Sequence, residues 1–246
     1  MTAPNGSRPT DDGSSPDPED EPAVHDLTQP VTAGMPVYPG DPPVAIESHA
    51  TMAGDGYRTS ALSLGTHAGT HVDAPAHTEP DGKTLDEFDV AAFRFDAVVI
   101  DCADVGARAA ISRDAIEAAD PPADADAVLL HTGWAEHWGT DRYRDHPFLA
   151  PAAAEWLADA GYHVGFDTFS PDPTPPVEEG SGGDREGPDA EPPGIPAHHA
   201  LLGAERLIVE NLRGLDRLPD RVTLHAYPVA IEDADGAPVR AVAVVD

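Results

Sequence analysis

The stretch His67-Ala-Gly-Thr-His71-Val-Asp73-Ala-Pro-Ala-His77 puts three imidazoles and a carboxylate within eleven residues. Counted from His67, the other three stand at +4, +6 and +10. All offsets are even, so on an extended strand the four side chains share one face. A helix would swing the +6 group away from the first, and Pro75 would break the turn. Neutral imidazole and carboxylate together suit Zn²⁺, Mn²⁺ or Fe²⁺. His71 and Asp73, two residues apart, can reach one ion. His67 and His71 would lie about 13 Å apart on a fully extended chain. The backbone therefore has to turn between them, and Gly69 supplies the freedom. Pro75 redirects the chain before His77, and spacing alone leaves open whether that histidine binds a metal or stands beside it. One histidine on such a strand would read as solvated or hydrogen-bonded; the cluster reads as a metal site.

Further ligands are expected from elsewhere in the chain. Glu210 follows three apolar residues in Arg206-Leu-Ile-Val-Glu210, and a buried carboxylate is costly unless it is paired or metal-bound. His198 and His199 lie about one helix upstream.

These groups need elements to position them. Val24–Thr28, Val44–Ser48, Thr59–Leu64, Phe95–Asp101 and Asp126–Thr132 read as strands, bounded by polar residues and turns. Ser112–Asp120 reads as a short helix with Ser112 as N-cap. Residues 150–161 form the clearest helix, with Pro151 in the first turn and Gly161 just past the end. Residues 162–167 follow as a strand. Residues 195–204 read as a short helix, and 206–212, 221–231 and 238–245 as late strands. The expected class is α/β, a mixed β-sheet core with flanking helices, in one domain over 23–246. Residues 1–22 are Pro, Ser, Gly and Asp with almost nothing to bury, and are expected to be an acidic disordered tail. Residues 172–194 read as an acidic flexible insertion.

Composition excludes several partners. The chain has 45 Asp and Glu against 14 Lys and Arg, a formal charge of −31 over 246 residues. Lys83 is the one lysine. Nucleic acid is a poor partner, because phosphates need local positive charge. The acids spread along the whole chain, so the fold needs screening; the Debye length shrinks to about 3 Å at 1 M salt. This reads as halophilic adaptation to a salty cytoplasm. Cys102 is the single cysteine, which rules out an intrachain disulfide and a thiolate metal cage. No apolar run approaches the length of a membrane span and no signal peptide is visible, so a soluble cytoplasmic protein is expected. Neither G-x-S-x-G nor G-x-G-x-x-G after a strand occurs, which argues against a serine nucleophile and a dinucleotide cofactor.

The segment 67–77 matches every fixed position of H-x-G-T-H-x-D-x-P-x-H. The chain thereby resembles the metal-dependent cyclase family, which includes bacterial kynurenine formamidase and isatin hydrolases. The likeness extends from about His25 to the C-terminus. Met35–Asp41 resembles the family's P-x-W-P-G-D element, and Leu129–Trp134 its L-L-R-T-G strand. Gly165–Pro173 resembles G-I-D-T-x-S-x-D, and Ala197–Ala204 with Ile208–Leu212 resembles H-x-x-L-L followed by E-G-L. The resemblance implies a swivelling β/β/α-like fold and two divalent ions per subunit, zinc ahead of manganese. His67, His71 and Asp73 would hold one ion; Asp73, His198 and Glu210 would hold the other, with His199 a bystander. His77 falls at the family's catalytic histidine, and Tyr38 at an aromatic lining the substrate pocket. Asn211 replaces the usual Gly, and His131 the usual Arg. The implied reaction is hydrolysis of a small aryl amide, N-formylkynurenine to kynurenine and formate in tryptophan catabolism. A divalent ion acidifies water for attack on the amide carbonyl, and His77 passes a proton to the leaving nitrogen. Trp134, Phe169, Ser170 and Asp172 are further candidates for the pocket wall. The alternatives are ring-opening hydrolysis of a cyclic amide such as isatin, another small-molecule cyclisation or dehydration, and a non-catalytic metal-binding protein. By analogy the subunits form a dimer or larger homo-oligomer.

Overall fold

A computed structural model describes residues 22–175 and 191–245. The expected N-terminal tail, apart from Pro22, and the middle of the expected insertion lie outside the described residues. Thirteen strands and four α-helices occur among the described residues. In chain order they are β1 (Ala23–Asp26), β2 (Ala45–Ala50), α1 (Met52–Asp55), β3 (Thr59–Ser63), β4 (His71–Asp73), β5 (Arg94–Asp101) and β6 (Ala110–Ile111). Then come α2 (Arg113–Ala118), β7 (Ala127–His131), β8 (Phe148–Leu149), α3 (Pro151–Ala160), β9 (His163–Phe166) and α4 (Pro196–Gly203). β10 (Ile208–Glu210), β11 (Arg221–His225), β12 (Gly236–Pro238) and β13 (Val242–Val245) complete the chain.

Nine strands form one mixed sheet in the order β1-β13-β11-β5-β7-β9-β10-β4-β12. Its centre, β5-β7-β9-β10, is parallel and its flanks are antiparallel. The central strands are buried on both faces, and alternation divides their side chains between two cores. Phe95, Ala97, Ala127, Leu129 and Val209 enter one core with Val72, Leu224 and Ala243. Val98, Ile100, Val128, Leu130, Val164 and Ile208 enter the other, against Ile116 of α2, Leu157 of α3 and Leu201 of α4. Helix boundaries follow the expected signals. The Ser112 hydroxyl accepts from the Ala115 N–H, Pro151 opens α3, and Gly161 ends it at φ 98°.

The structure departs from the expected elements in three places. His77 lies in a one-turn 3₁₀ helix, Pro75–His77, and His67 in the turn before β4, so only His71 and Asp73 are on an extended segment. The late strand read over 221–231 ends at His225. The one read over 238–245 is divided into β12 and β13, each pairing with a different neighbour. No helix among the described residues is long and apolar enough to cross a membrane.

Candidate metal centre

β4 lies between β10 and β12, and register brings the ligand types together. Glu210 stands opposite His71 across the β4–β10 pair, and Gly236 stands opposite Asp73 across β4–β12. Opposed residues in an antiparallel pair hold their Cβ atoms about 5 Å apart. His71 and Asp73 point to one face of β4 while Val72 enters the core on the other. Gly69 adopts φ 71°, and this turn folds His67 back over the strand. Gly236 leaves the space its ring fills: a Cβ there would sit 2.5 Å from His67 Cε1. α4 adds His198 from above.

Each of these three histidines has one ring nitrogen fixed by a hydrogen bond and the other aimed at carboxylate. His71 Nδ1 donates to the Gly69 carbonyl at 2.8 Å, and its Nε2 faces Asp73 Oδ1 at 3.1 Å and Glu210 Oε2 at 3.4 Å. His198 Nδ1 donates to Asp172 Oδ2 at 2.7 Å, and its Nε2 faces Glu210 Oε1 at 3.4 Å and Asp73 Oδ2 at 3.8 Å. His67 Nε2 meets Asp235 Oδ2 at 3.1 Å, and its Nδ1 faces Asp73 Oδ1 at 2.7 Å. Metal-binding histidines are habitually held this way, by a carbonyl or carboxylate behind the ring. His67, His71 and Asp73 can offer atoms within 4.8 Å of one another, and so can Asp73, His198 and Glu210.

Asp73 and Glu210 are buried, yet Asp73 Oδ2 and Glu210 Oε1 have no hydrogen-bond partner among the described residues. The 3.4 Å approach of His198 to Glu210 is an ion-pair distance without hydrogen-bond alignment. Buried carboxylate oxygens left in this way are costly, and a bound cation would satisfy them. The donor set therefore fits a metal ion. The same carboxylates favour charge on the imidazoles that face them. Burial alone would lower the His67 pKa, but the Asp73 charge and hydrogen bond outweigh it and push it up to about 9. Burial likewise opposes charge on His198, yet its bond to Asp172 and the adjacent Glu210 raise it to about 10. Burial raises Glu210, and the neighbouring Asp73 charge adds to this. Asp73 is driven well down despite burial, by the His71 and His67 rings.

His77 stands beside the cluster, its ring centroid 4.0 Å from that of His67 and 5.7 Å from that of His198. Burial lowers its pKa, and the neighbouring histidines oppose its charge further. These groups line a cavity of about 210 Å³ with Tyr38, Asp41, Phe169, Ser170 and Ile195. Tyr38 meets Phe169 edge-on at 6.2 Å. Trp134 is packed behind the wall, in a cluster with Tyr143 and Phe169. His199 is on the outer side of α4, 2.9 Å from Glu79. His131 lies outside the cavity, its Nδ1 3.3 Å from Asp101.

Two supporting residues have roles that a reading of the sequence does not give. Asp172, a candidate for the pocket wall at the start of the expected insertion, is buried and accepts from the Ala197 and His198 N–H groups as well as from the His198 ring. It thus holds both the start of α4 and the imidazole that α4 carries. Asp235 sits in Asp233-Ala-Asp-Gly236, which carries only a turn signal. Asn211 finds its reason in the backbone: it adopts φ 57°, a region where asparagine is better tolerated than most residues after glycine. Its Nδ2 donates to the Gly69 carbonyl at 3.0 Å, pinning the turn under His67.

Comparison with known proteins gives the chain its relatives. The Cyclase family model matches residues 25–173. A kynurenine formamidase of Paracidovorax citrulli is 34% identical over 222 residues, covering 88% of this chain and 94% of the relative. One of Bacillus cytotoxicus is 30% identical over 225 residues, covering 88% and 95%. Among solved structures, isatin hydrolase A from Ralstonia solanacearum superposes with a TM-score of 0.77 at 27% identity, covering 92% of each chain. A protein described as a predicted metal-dependent hydrolase from Bacillus stearothermophilus gives 0.69 at 26% identity, covering 91% of this chain and 98% of its own. With the family model over more than half of its length and relatives at 30% identity or more over most of it, the chain belongs to the cyclase family.

Proposed function

We propose that the protein is a metal-dependent hydrolase of a small aryl amide, converting N-formylkynurenine and water to kynurenine and formate. One observation carries the metal part. Three histidines, each anchored through one nitrogen, turn the other toward two buried carboxylates that have oxygens without partners. The names of the relatives support the substrate. His67, His71 and Asp73 would hold one ion, and Asp73, His198 and Glu210 a second, zinc ahead of manganese. Such ions supply Lewis acidity, polarising a carbonyl and lowering the pKa of water to about 7 in favourable zinc sites.

The chain's own groups do the rest. His77 lines the cavity beside the ligands without joining either set around Asp73. It is the group to carry a proton to the nitrogen released when the C–N bond breaks. Tyr38 and Phe169 offer an aromatic wall to the aryl ring. Asp172 and the Gly69 carbonyl keep His198 and His71 in the tautomer that presents Nε2 to the ions.

A second reading, ring-opening hydrolysis of isatin, is favoured by the superposition on an isatin hydrolase over 92% of each chain. Metal-loaded protein in concentrated salt, offered each substrate in turn, decides between them. Formate and kynurenine are expected from N-formylkynurenine. Turnover of isatin alone would move the assignment to the second reading, and turnover of neither would sink the hydrolase.

The activity would reside in one domain over residues 23–246, in a salt-rich cytoplasm that suits the acidic surface. We also read the chain as a homodimer or larger assembly. β2, α1 and β3 form an arm with Met52, Tyr57 and Leu62 more than half exposed. A hairpin without packing is marginal in water, and a second copy would cover it. Light scattering in salt should give at least twice the 25.7 kDa of one chain.

A further inference from the structure

The carboxylate of Asp235 touches both halves of the chemistry. Its Oδ2 is 3.1 Å from His67 Nε2 and 3.4 Å from His77 Nδ1, while Oδ1 accepts from the Thr66 hydroxyl at 3.2 Å. One carboxylate oxygen has lone pairs enough for two donors. The backbone beneath is fixed. The Ala74 N–H donates to the Asp235 carbonyl at 2.8 Å, and the next residue, Gly236, pairs with Asp73 in the sheet. Asp235 does not line the cavity; it stands behind the two histidines that do.

We propose that Asp235 is a positioning residue that fixes the ring orientation of His67 and of His77 at once. This rests on the hydrolase reading for its catalytic meaning. By accepting from His67 Nε2–H, Asp235 leaves Nδ1 as the nitrogen that faces Asp73 and an ion. By accepting from His77 Nδ1–H, it leaves Nε2 as the nitrogen offered to substrate. One acid thereby locks the proton carrier in register with the first metal ligand. Their ring centroids are 4.0 Å apart, so a tilt of either ring would be felt by the other.

The test uses zinc-loaded full-length protein with Asp235→Asn and Asp235→Glu. Imidazole ¹⁵N spectra of the wild type should show His77 protonated at Nδ1 and His67 at Nε2. Asp235→Asn should redistribute the His77 proton between the nitrogens, while saturating zinc still restores the wild-type zinc content per subunit. Its kcat should fall about 10–100-fold with KM changed less than about threefold, the range seen when a carboxylate behind a working histidine is lost. Asp235→Glu should restore part of the rate. Zinc content and activity that no zinc concentration restores would make Asp235 a ligand, joining His67 and His77 in a site of its own, and overturn the proposal. So would a defect confined to KM, or unchanged spectra and rate in Asp235→Asn. Should the wild type turn over neither substrate, the hydrolase reading fails while the spectra and zinc content still judge Asp235.

Discussion

Asp73 is the residue on which the centre turns, because its two oxygens face different partners. Oδ1 meets His67 and His71, and Oδ2 meets His198. With His67 at about 9 and His198 at about 10, both are protonated at neutral pH in the cation-free protein. These raised values stabilise the fold fully below the unfolded pKa near 6.5 and fade as pH rises through 9 to 10. Cations compete for the same nitrogens, so zinc uptake at pH 7 should release protons, and affinity should fall as pH drops. Calorimetry in buffers of different ionisation enthalpy measures that release; a heat independent of buffer would contradict it. His77 belongs to another class of residue. His77→Ala should retain wild-type zinc by elemental analysis and lose about 10²–10⁴-fold in rate. Loss of zinc in that variant would show that His77 is a ligand.

At the scale of elements, the site depends on β4 being enclosed by β10 and β12. Gly236 is where this shows, since any side chain there collides with the His67 ring. Gly236→Ala should weaken zinc at the His67 side by about 10–100-fold, with far-ultraviolet circular dichroism unchanged; a variant with full zinc content would disprove the clash. How much of this the sequence disclosed follows from distance along the chain. The segment 67–77 displayed its chemistry because four of the groups are local. α3 was visible from Pro151 and Gly161, and the central strands from apolar runs between turns. Gly69 was readable as the bend because the spacing of His67 and His71 required one. The 3₁₀ turn at His77 was not, since even offsets suggest a strand until Pro75 closes the turn. Asp235 and Gly236 were hidden because their meaning comes from the β4–β12 pairing, more than 150 residues from His67. Asp172 stood out as a candidate for the pocket wall, but its grip on His198 was hidden by acidic, proline-rich surroundings that resemble insertion more than framework.

For the whole molecule the governing quantity is charge. A formal −31 on 246 residues leaves few cations to share, and the structure uses several in clamps. Arg221 bridges Asp96 and Asp124, while Asp26 receives both Arg213 and Arg240. Exposed pairs of this kind contribute little individually, and the acids far outnumber the bases that could pair with them. Raising KCl from 0.1 to 2 M should therefore raise Tm, by about 2–4 °C for each kcal/mol of repulsion relieved. A Tm that stays flat or falls across the series would count against the halophilic reading. The proposed ligands also come from distant parts of the chain, β4 early and α4 and β10 late. Any ion they share ties together stretches of chain that otherwise meet only through packing. At a thousand times its dissociation constant such an ion adds about 4 kcal/mol to stability, and a chelator should lower Tm accordingly. A cell short of the ion would then lose more than turnover: emptied molecules would open more often, meet proteases sooner, and become scarce.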